Sequence, residues 1–143
     1  MPFEILDHEA DAGVRGLGRT VEEAFTEGAR GMFSLMVELD RVRPEEEVEV
    51  ACRADSLETL FVAWLGELLL ERDLKGLVFS KFEVRISHAR EGDGYHLQGR
   101  AWGEPLDPER HGVKVEVKAA TYSGLKSGRT ADGGYYVQCV VDL

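Results

Sequence analysis

The stretch from Leu57 to Leu69 sets large apolar side chains in nearly every direction around a helix: Leu57, Leu60, Phe61, Trp64, Leu65, Leu68 and Leu69 leave little polar face. A helix with one apolar stripe can rest on a surface, whereas one that is apolar nearly all round has to be enclosed. The segment therefore predicts a central core helix, and the rest of the chain must wall it in. Asp55 or Ser56 is positioned to cap its start, Asp55 with Glu58 making a capping box, and Gly76 is placed to end it.

Candidate walls lie on both sides of this helix. Thr20 opens an earlier helix, with Glu23 three residues on as the partner in a capping box, and Val21, Phe25, Ala29, Met32 and Met36 line one face. Phe3–Leu6 is extended and runs through an acidic segment into Gly13, Gly16 and Gly18, which predicts a strand, a turn and a second short strand. Val48, Val50, Cys52 and Ala54 alternate with mostly polar residues, as do Phe82, Val84 and Ile86. Glu91-Gly92-Asp93-Gly94 has hairpin-turn chemistry and leads into a return strand from Tyr95 to Ala101, stopped by Gly103 and Pro105. Val113, Val115 and Val117 alternate with charged residues and predict another strand. Asp132-Gly133-Gly134 turns the chain into a last one, Tyr135–Leu143. Helices between early strands, followed by a run of strands, indicate an α+β fold: one domain over residues 1–143, with a mainly antiparallel β-sheet packed with two α-helices. No linker or internal repeat interrupts it.

Composition narrows the function. A chain of 143 residues buries roughly 68–70% of the surface its unfolded form exposes, so it needs no disulfide or metal to fold. Cys52 and Cys139 form no CxxC pair and read as small buried apolar residues. The apolar run around Phe61–Leu70 is broken by Gly66 and Glu67, short of the ~18 residues of a membrane span. The start, Met1-Pro2-Phe3-Glu4, has no basic and apolar leader, and a cytoplasmic location is expected. A net charge of −10 would repel phosphates, so no stable direct nucleic-acid binding is expected and a basic protein partner or a cation suits the chain better.

Standard catalytic signatures are missing. His8-Glu9-Ala10-Asp11 lacks the second histidine of HExxH, the glycines at 13, 16 and 18 lack the Gly-Lys-Ser/Thr of a P-loop, and Tyr122-Ser123-Gly124 lacks a nucleophile elbow. The acidic segment remains. Asp7, Glu9 and Asp11 are spaced by two and would share one face of a continuous strand, either as a solvated acidic edge or as part of a cation site. At the other end, Asp142-Leu143 closes an apolar strand and offers oxygens suited to a hard cation. If the last strand lies beside the acidic one, Asp11 and Asp142 could share such an ion.

Several segments taken together resemble the archease family. They are Asp7-His8-Glu9-Ala10-Asp11, Thr20-Val21-Glu22-Glu23-Ala24-Phe25, Ser56-Leu57-Glu58-Thr59-Leu60 with Trp64-Leu65, and Gly76-Leu77-Val78-Phe79. Gly103-Glu104-Pro105-Leu106-Asp107 through Arg110-His111, Val117-Lys118-Ala119-Ala120-Thr121-Tyr122 and the ending Val141-Asp142-Leu143 complete the match in order along the chain. The resemblance implies a non-enzymatic accessory protein that activates an RtcB-type RNA ligase in tRNA splicing and RNA repair, promoting guanylylation of the ligase and multiple turnover. It also implies a divalent metal site on Asp11, Asp142 and Leu143, with calcium the leading candidate. Lys118 is then placed to contact the ligase or a phosphate, and His8 to support the acidic site. A general chaperone-like or structural protein-binding module, without a dedicated ligase partner, is the alternative.

Overall fold

The computed structural model describes residues 2–8, 11–88 and 94–143. Strands β1 (Phe3–His8) and β2 (Asp11–Gly18) lead into helix α1 (Val21–Met36), a 3-10 turn (Leu39–Arg41) and β3 (Glu46–Ala54). Helix α2 (Leu57–Lys75) is followed by β4 (Leu77–His88), β5 (Tyr95–Pro105) and a short α3 (Pro108–His111). The chain finishes with β6 (Ala119–Ala120), β7 (Lys126–Arg129) and β8 (Tyr135–Asp142). All strand pairs are antiparallel. They make two sheets, one ordered β1-β2-β8-β6 with β7 also on β8, the other ordered β3-β5-β4. The expected α+β class holds, with the strands divided between two sheets.

The helices lie between those sheets. α1 packs on β2 and β8 of the first sheet and on β4 of the second; α2 packs on β3 and β5 of the second and on β6 and β8 of the first. This explains the all-round apolar character of α2, because both of its sides face a sheet. Leu60, Phe61, Trp64, Leu65 and Leu68 are fully buried. Each contributes about 1.5–3 kcal/mol of apolar burial. Trp64 meets Phe82 of β4 edge-on and donates its indole N–H to the Phe25 carbonyl of α1 at 3.1 Å, so its one polar atom is satisfied inside the core. Where α1 crosses β2 the backbones nearly touch. A Cβ on Gly16 would lie 1.9 Å from the Ala24 carbonyl oxygen and 2.5 Å from the Gly28 nitrogen, so only glycine fits there.

Local expectations fare unevenly. Thr20 caps α1, its hydroxyl accepting from the Glu23 N–H at 3.1 Å. Ser56, and not Asp55, caps α2, and its box partner is Thr59 instead of Glu58: the two hydroxyls and backbones satisfy each other reciprocally. Gly76 ends α2 in the left-handed region at φ 69. Gly103 does not stop β5, which continues to Pro105. The hairpin turn expected at residues 91–94 lies outside the described residues except for Gly94.

Two expectations are overturned. The acidic segment is not one strand, because β1 ends at His8 and β2 begins at Asp11, so Asp7 pairs with Ala12 while His8 pairs with Asp11. The expectation of one continuous strand therefore fails for Asp7 and Asp11, and Glu9 lies outside the described residues. Nor do Val113–Val117 form a strand. Lys114 N–H donates to the Met36 carbonyl at 2.8 Å and Val115 N–H to the Leu35 carbonyl at 3.1 Å. These carbonyls end α1 and have no partner within the helix, so the segment serves as its C-terminal cap. Val113 and Val115 are about half exposed and only Val117 is buried, so the alternation of valines does not mark a buried face.

Candidate functional site

Alternation along β2 and β8 decides what the outer face of the first sheet presents. Ala12 and Val14 point toward the helices and are buried, which turns Asp11 and Arg15 outward. Val137, Cys139 and Val141 are likewise buried, which turns Gln138, Val140 and Asp142 outward. The register then pairs Asp11 directly with Asp142. Side chains paired this way across an antiparallel ladder have Cβ atoms about 4.5–5.5 Å apart. The last strand thus lies beside the strand that carries Asp11, an arrangement that spacing in sequence left open.

The pair is held on both flanks. Asp142 is also in register with Ala119 of β6, and its carbonyl accepts from the Lys118 N–H at 2.8 Å. Asp11 is also in register with His8 of β1. Asp11 is half-buried and Asp142 exposed, so their mutual repulsion is close to the aqueous limit, about 1 kcal/mol, and would rise if a partner displaced water. Farther along the same face Arg15 donates to Gln138 at 2.8 Å and to Glu4 at 3.0 Å, tying three strands together. Four residues along a strand is roughly 13 Å, so this guanidinium does not neutralise the aspartates.

Leu143 follows β8 with its side chain packed against the core. Asp7 stands opposite Ala12, away from the Asp11–Asp142 row, and Glu9 lies outside the described residues. Lys118 is exposed beside the row. Among the described residues no group of three or more His, Cys, Asp and Glu side chains converges as a metal cage. What the register brings together is two carboxylates, which are hard oxygen donors. Burial pushes the Cys139 thiol up to about 12, and burial together with the nearby Glu67 raises Cys52 to about 11, so both cysteines stay protonated and inert.

A second carboxylate, Glu104, is placed quite differently. It is buried and accepts from Arg43 N–H at 2.8 Å, from the two terminal Arg110 nitrogens at 2.9 and 2.7 Å, and from His111 Nε2 at 2.9 Å. His111 is fully buried, and its Nδ1 accepts from the Asp107 N–H at 3.0 Å, so the proton sits on Nε2 and points at Glu104. The Arg110 guanidinium leads in holding the Glu104 carboxyl down at about 2, helped by the Arg43 and His111 bonds. This network ties α3 and the end of β5 to the segment after the 3-10 turn.

Residues 3–143 match the model of the Archease protein family (MTH1598/TM1083). The chain belongs to this family. It is 45% identical to the protein archease of Thermococcus kodakarensis over 141 residues, 99% of this chain and 98% of that one. It is 41% identical to the protein archease of Methanopyrus kandleri over 143 residues, the whole of both chains. The solution structure of Methanobacterium thermoautotrophicum protein 1598 superimposes with a TM-score of 0.82 at 34% identity, covering 99% of each chain.

Archease membership supports an accessory, non-catalytic role. Among the described residues no helix is long and apolar enough to cross a membrane. Within this archease-family fold the carboxylates play two different parts. Glu104 is consumed internally, whereas Asp11 and Asp142 stand in register on the outer face of the first sheet. Sequence reasoning assigned no role to Glu104, Arg110 or His111. The signal that could have found them was Asp107-Pro108, a helix cap followed by proline at the first helical position, which places Arg110 and His111 one turn later.

Proposed function

We propose that this chain is a protein cofactor of an RtcB-type RNA ligase in tRNA splicing and RNA repair, promoting guanylylation of the ligase and its multiple turnover. The observation that carries this reading is the register pairing of Asp11 with Asp142 at one end of the first sheet. Two carboxylates set side by side on the face of a sheet make a surface that gains by meeting positive charge. A nucleic-acid ligase, whose active centre must be basic to hold phosphates, supplies that charge, and a net charge of −10 favours the encounter.

The donor set suits a divalent cation of the calcium or magnesium type, which takes oxygen ligands. Asp11 and Asp142 would hold it with the main-chain oxygens of Leu143, and with two side chains to offer, the chain would leave the partner to complete the coordination. When bound, the ion supplies positive charge beside a phosphate oxygen. The chain's own contribution is positional. β8 is flanked by β2 and β6 out to Asp142, and the Lys118 N–H is bonded to the Asp142 carbonyl, so the carboxylates arrive on a rigid edge.

The test is a sealing assay with the RtcB-type ligase of the source organism, GTP, a divalent ion and limiting ligase. The wild-type chain should raise product well above one equivalent per ligase and accelerate guanylylation. Asp11→Asn and Asp142→Asn should remain folded and lose that stimulation. Stimulation left intact in both variants would exclude the acidic pair from the mechanism; no stimulation by the wild-type chain would sink the ligase reading itself.

A further inference from the structure

We infer that Tyr122 is an anchor through which the acidic end of this chain docks on its protein partner. The inference rests on the ligase reading and adds to it a residue and a role. Tyr122 is 71% exposed, an unusual state for a large aromatic side chain in a loop that is otherwise pinned down. Thr121 N–H donates to the Val140 carbonyl at 3.0 Å, and Val140 N–H donates to the Ser123 carbonyl at 3.0 Å. The Thr121 hydroxyl donates to the same Val140 carbonyl at 2.8 Å and accepts from the Ser123 N–H at 3.2 Å. Gln138 Nε2 donates to the Gly124 carbonyl at 3.3 Å, fixing the far side. Both neighbours of Tyr122 are thus bonded to β8 while its own ring is held out in water.

Such mounting matters for binding. A tyrosine on a fixed backbone loses little conformational freedom when it is covered, and its ring offers a large contact area with a polar tip. Exposure of that ring gains the isolated chain nothing, since a polar residue would serve the loop equally well. Position links it to the acidic pair. Tyr122 follows Ala119, the register neighbour of Asp142, by three residues, so the two Cα atoms are within about 11 Å. An interface centred on Asp11 and Asp142 and extending along this edge by that distance reaches Tyr122.

The occupant is a protein and not a nucleobase. A base stacked on Tyr122 would bring its phosphates toward two adjacent carboxylates on a chain of charge −10, whereas a protein surface with basic residues meets both features favourably. Tyr122 is then the apolar anchor and the aspartates the charged part of one contact.

The experiment titrates wild type, Tyr122→Ala, Tyr122→Phe and Asp142→Asn into the ligase sealing assay and reads half-saturating concentration and maximal stimulation separately. Tyr122→Ala is expected to raise the half-saturating concentration on the order of 30-fold, the loss typical of truncating an anchoring residue, and to reach the wild-type maximum. Tyr122→Phe should recover most of the loss, and Asp142→Asn should lower the maximum instead. Wild-type stimulation with an unchanged half-saturating concentration in Tyr122→Ala overturns the anchor while leaving the ligase reading standing. No stimulation by wild type overturns both. A companion titration with a single-stranded RNA oligonucleotide alone follows tyrosine fluorescence; binding lost in Tyr122→Ala would assign the ring to nucleic acid and overturn the protein occupant.

Discussion

Replacing Glu104 by alanine removes the one acceptor that four donors share. One of those donors, the His111 Nε2–H, is left with no partner in a buried setting, the part-buried Arg43 N–H loses its acceptor, and the charge of Arg110 loses its bidentate mate. Breaking a buried charge pair from one side costs about 3–5 kcal/mol. Arg110 is 36% exposed and can recover water, which places the loss near the lower end, about 3 kcal/mol. With an unfolding entropy of roughly 0.3 kcal/mol/K for a chain of this length, the midpoint should fall by about 10 °C. Urea unfolding followed by far-UV circular dichroism measures the first figure and a thermal scan the second. The pH dependence gives an independent readout. The folded carboxyl lies near 2, below its ordinary 4.5, so its contribution is complete above about 5 and is lost as pH falls through the folded value. The stability difference between wild type and Glu104→Gln should therefore be constant from pH 7 to 5 and shrink below that. A Glu104→Ala loss under about 1 kcal/mol, or a difference that does not change with acidification, would refute the view of Glu104 as a buried, charged hub.

Other consequences are tested more simply. Gly16→Ala pushes a methyl group into the α1 backbone at Ala24 and Gly28, and should cost more than about 3 kcal/mol or prevent folding, as read by denaturant midpoint. Gly76→Ala leaves the space around it open but strains a left-handed backbone, so about 1 kcal/mol is expected from the same assay. Cys139 should resist alkylation by iodoacetamide until the chain is unfolded, because its thiol is buried and held protonated; rapid labelling of the native chain, mapped by peptide mass, would contradict that. Arg72→Met removes the 2.7 Å bond to the Val117 carbonyl and a contact with the Met36 sulfur; a loss of about 1–2 kcal/mol is expected, with faster amide exchange at Lys114 and Val115.

The parts of the fold legible in sequence were those where one local cause sufficed. α2 declared its enclosure through apolar residues on every side, and α1 its packing face through its stripe and the Thr20 cap. The strands from Val48 and Phe82 showed themselves by alternation because each has one face on the helices and one in water. The failures came where a second cause competed. Val113–Val117 alternates like a strand, but its N–H groups are recruited by the unpaired carbonyls at the end of α1, a demand invisible in the segment itself. Asp55 and Ser56 are both good caps, and the choice fell to Ser56 because Thr59 completes its box.

The acidic pair shows why a site of this kind resists reading from spacing. Asp11 and Asp142 are separated by almost the whole chain, and their meeting depends on a register that a slip of one residue would undo, turning one carboxylate into the core. What fixes the register is apolar. Ala12 and Val14 on β2, with Val137, Cys139 and Val141 on β8, all have to face the helices. A one-residue slip of either strand would turn its own apolar set away from the helices, and in β8 would turn Gln138 and Asp142 toward them. The helices therefore hold the carboxylates together without touching them, and the tight crossing at Gly16 pins the strand a few residues away. A substitution that loosens α1 on β2 should blunt the outward pairing before it unfolds the domain. This makes the core packing around α1, more than any residue at the acidic end, the condition for whatever that end binds.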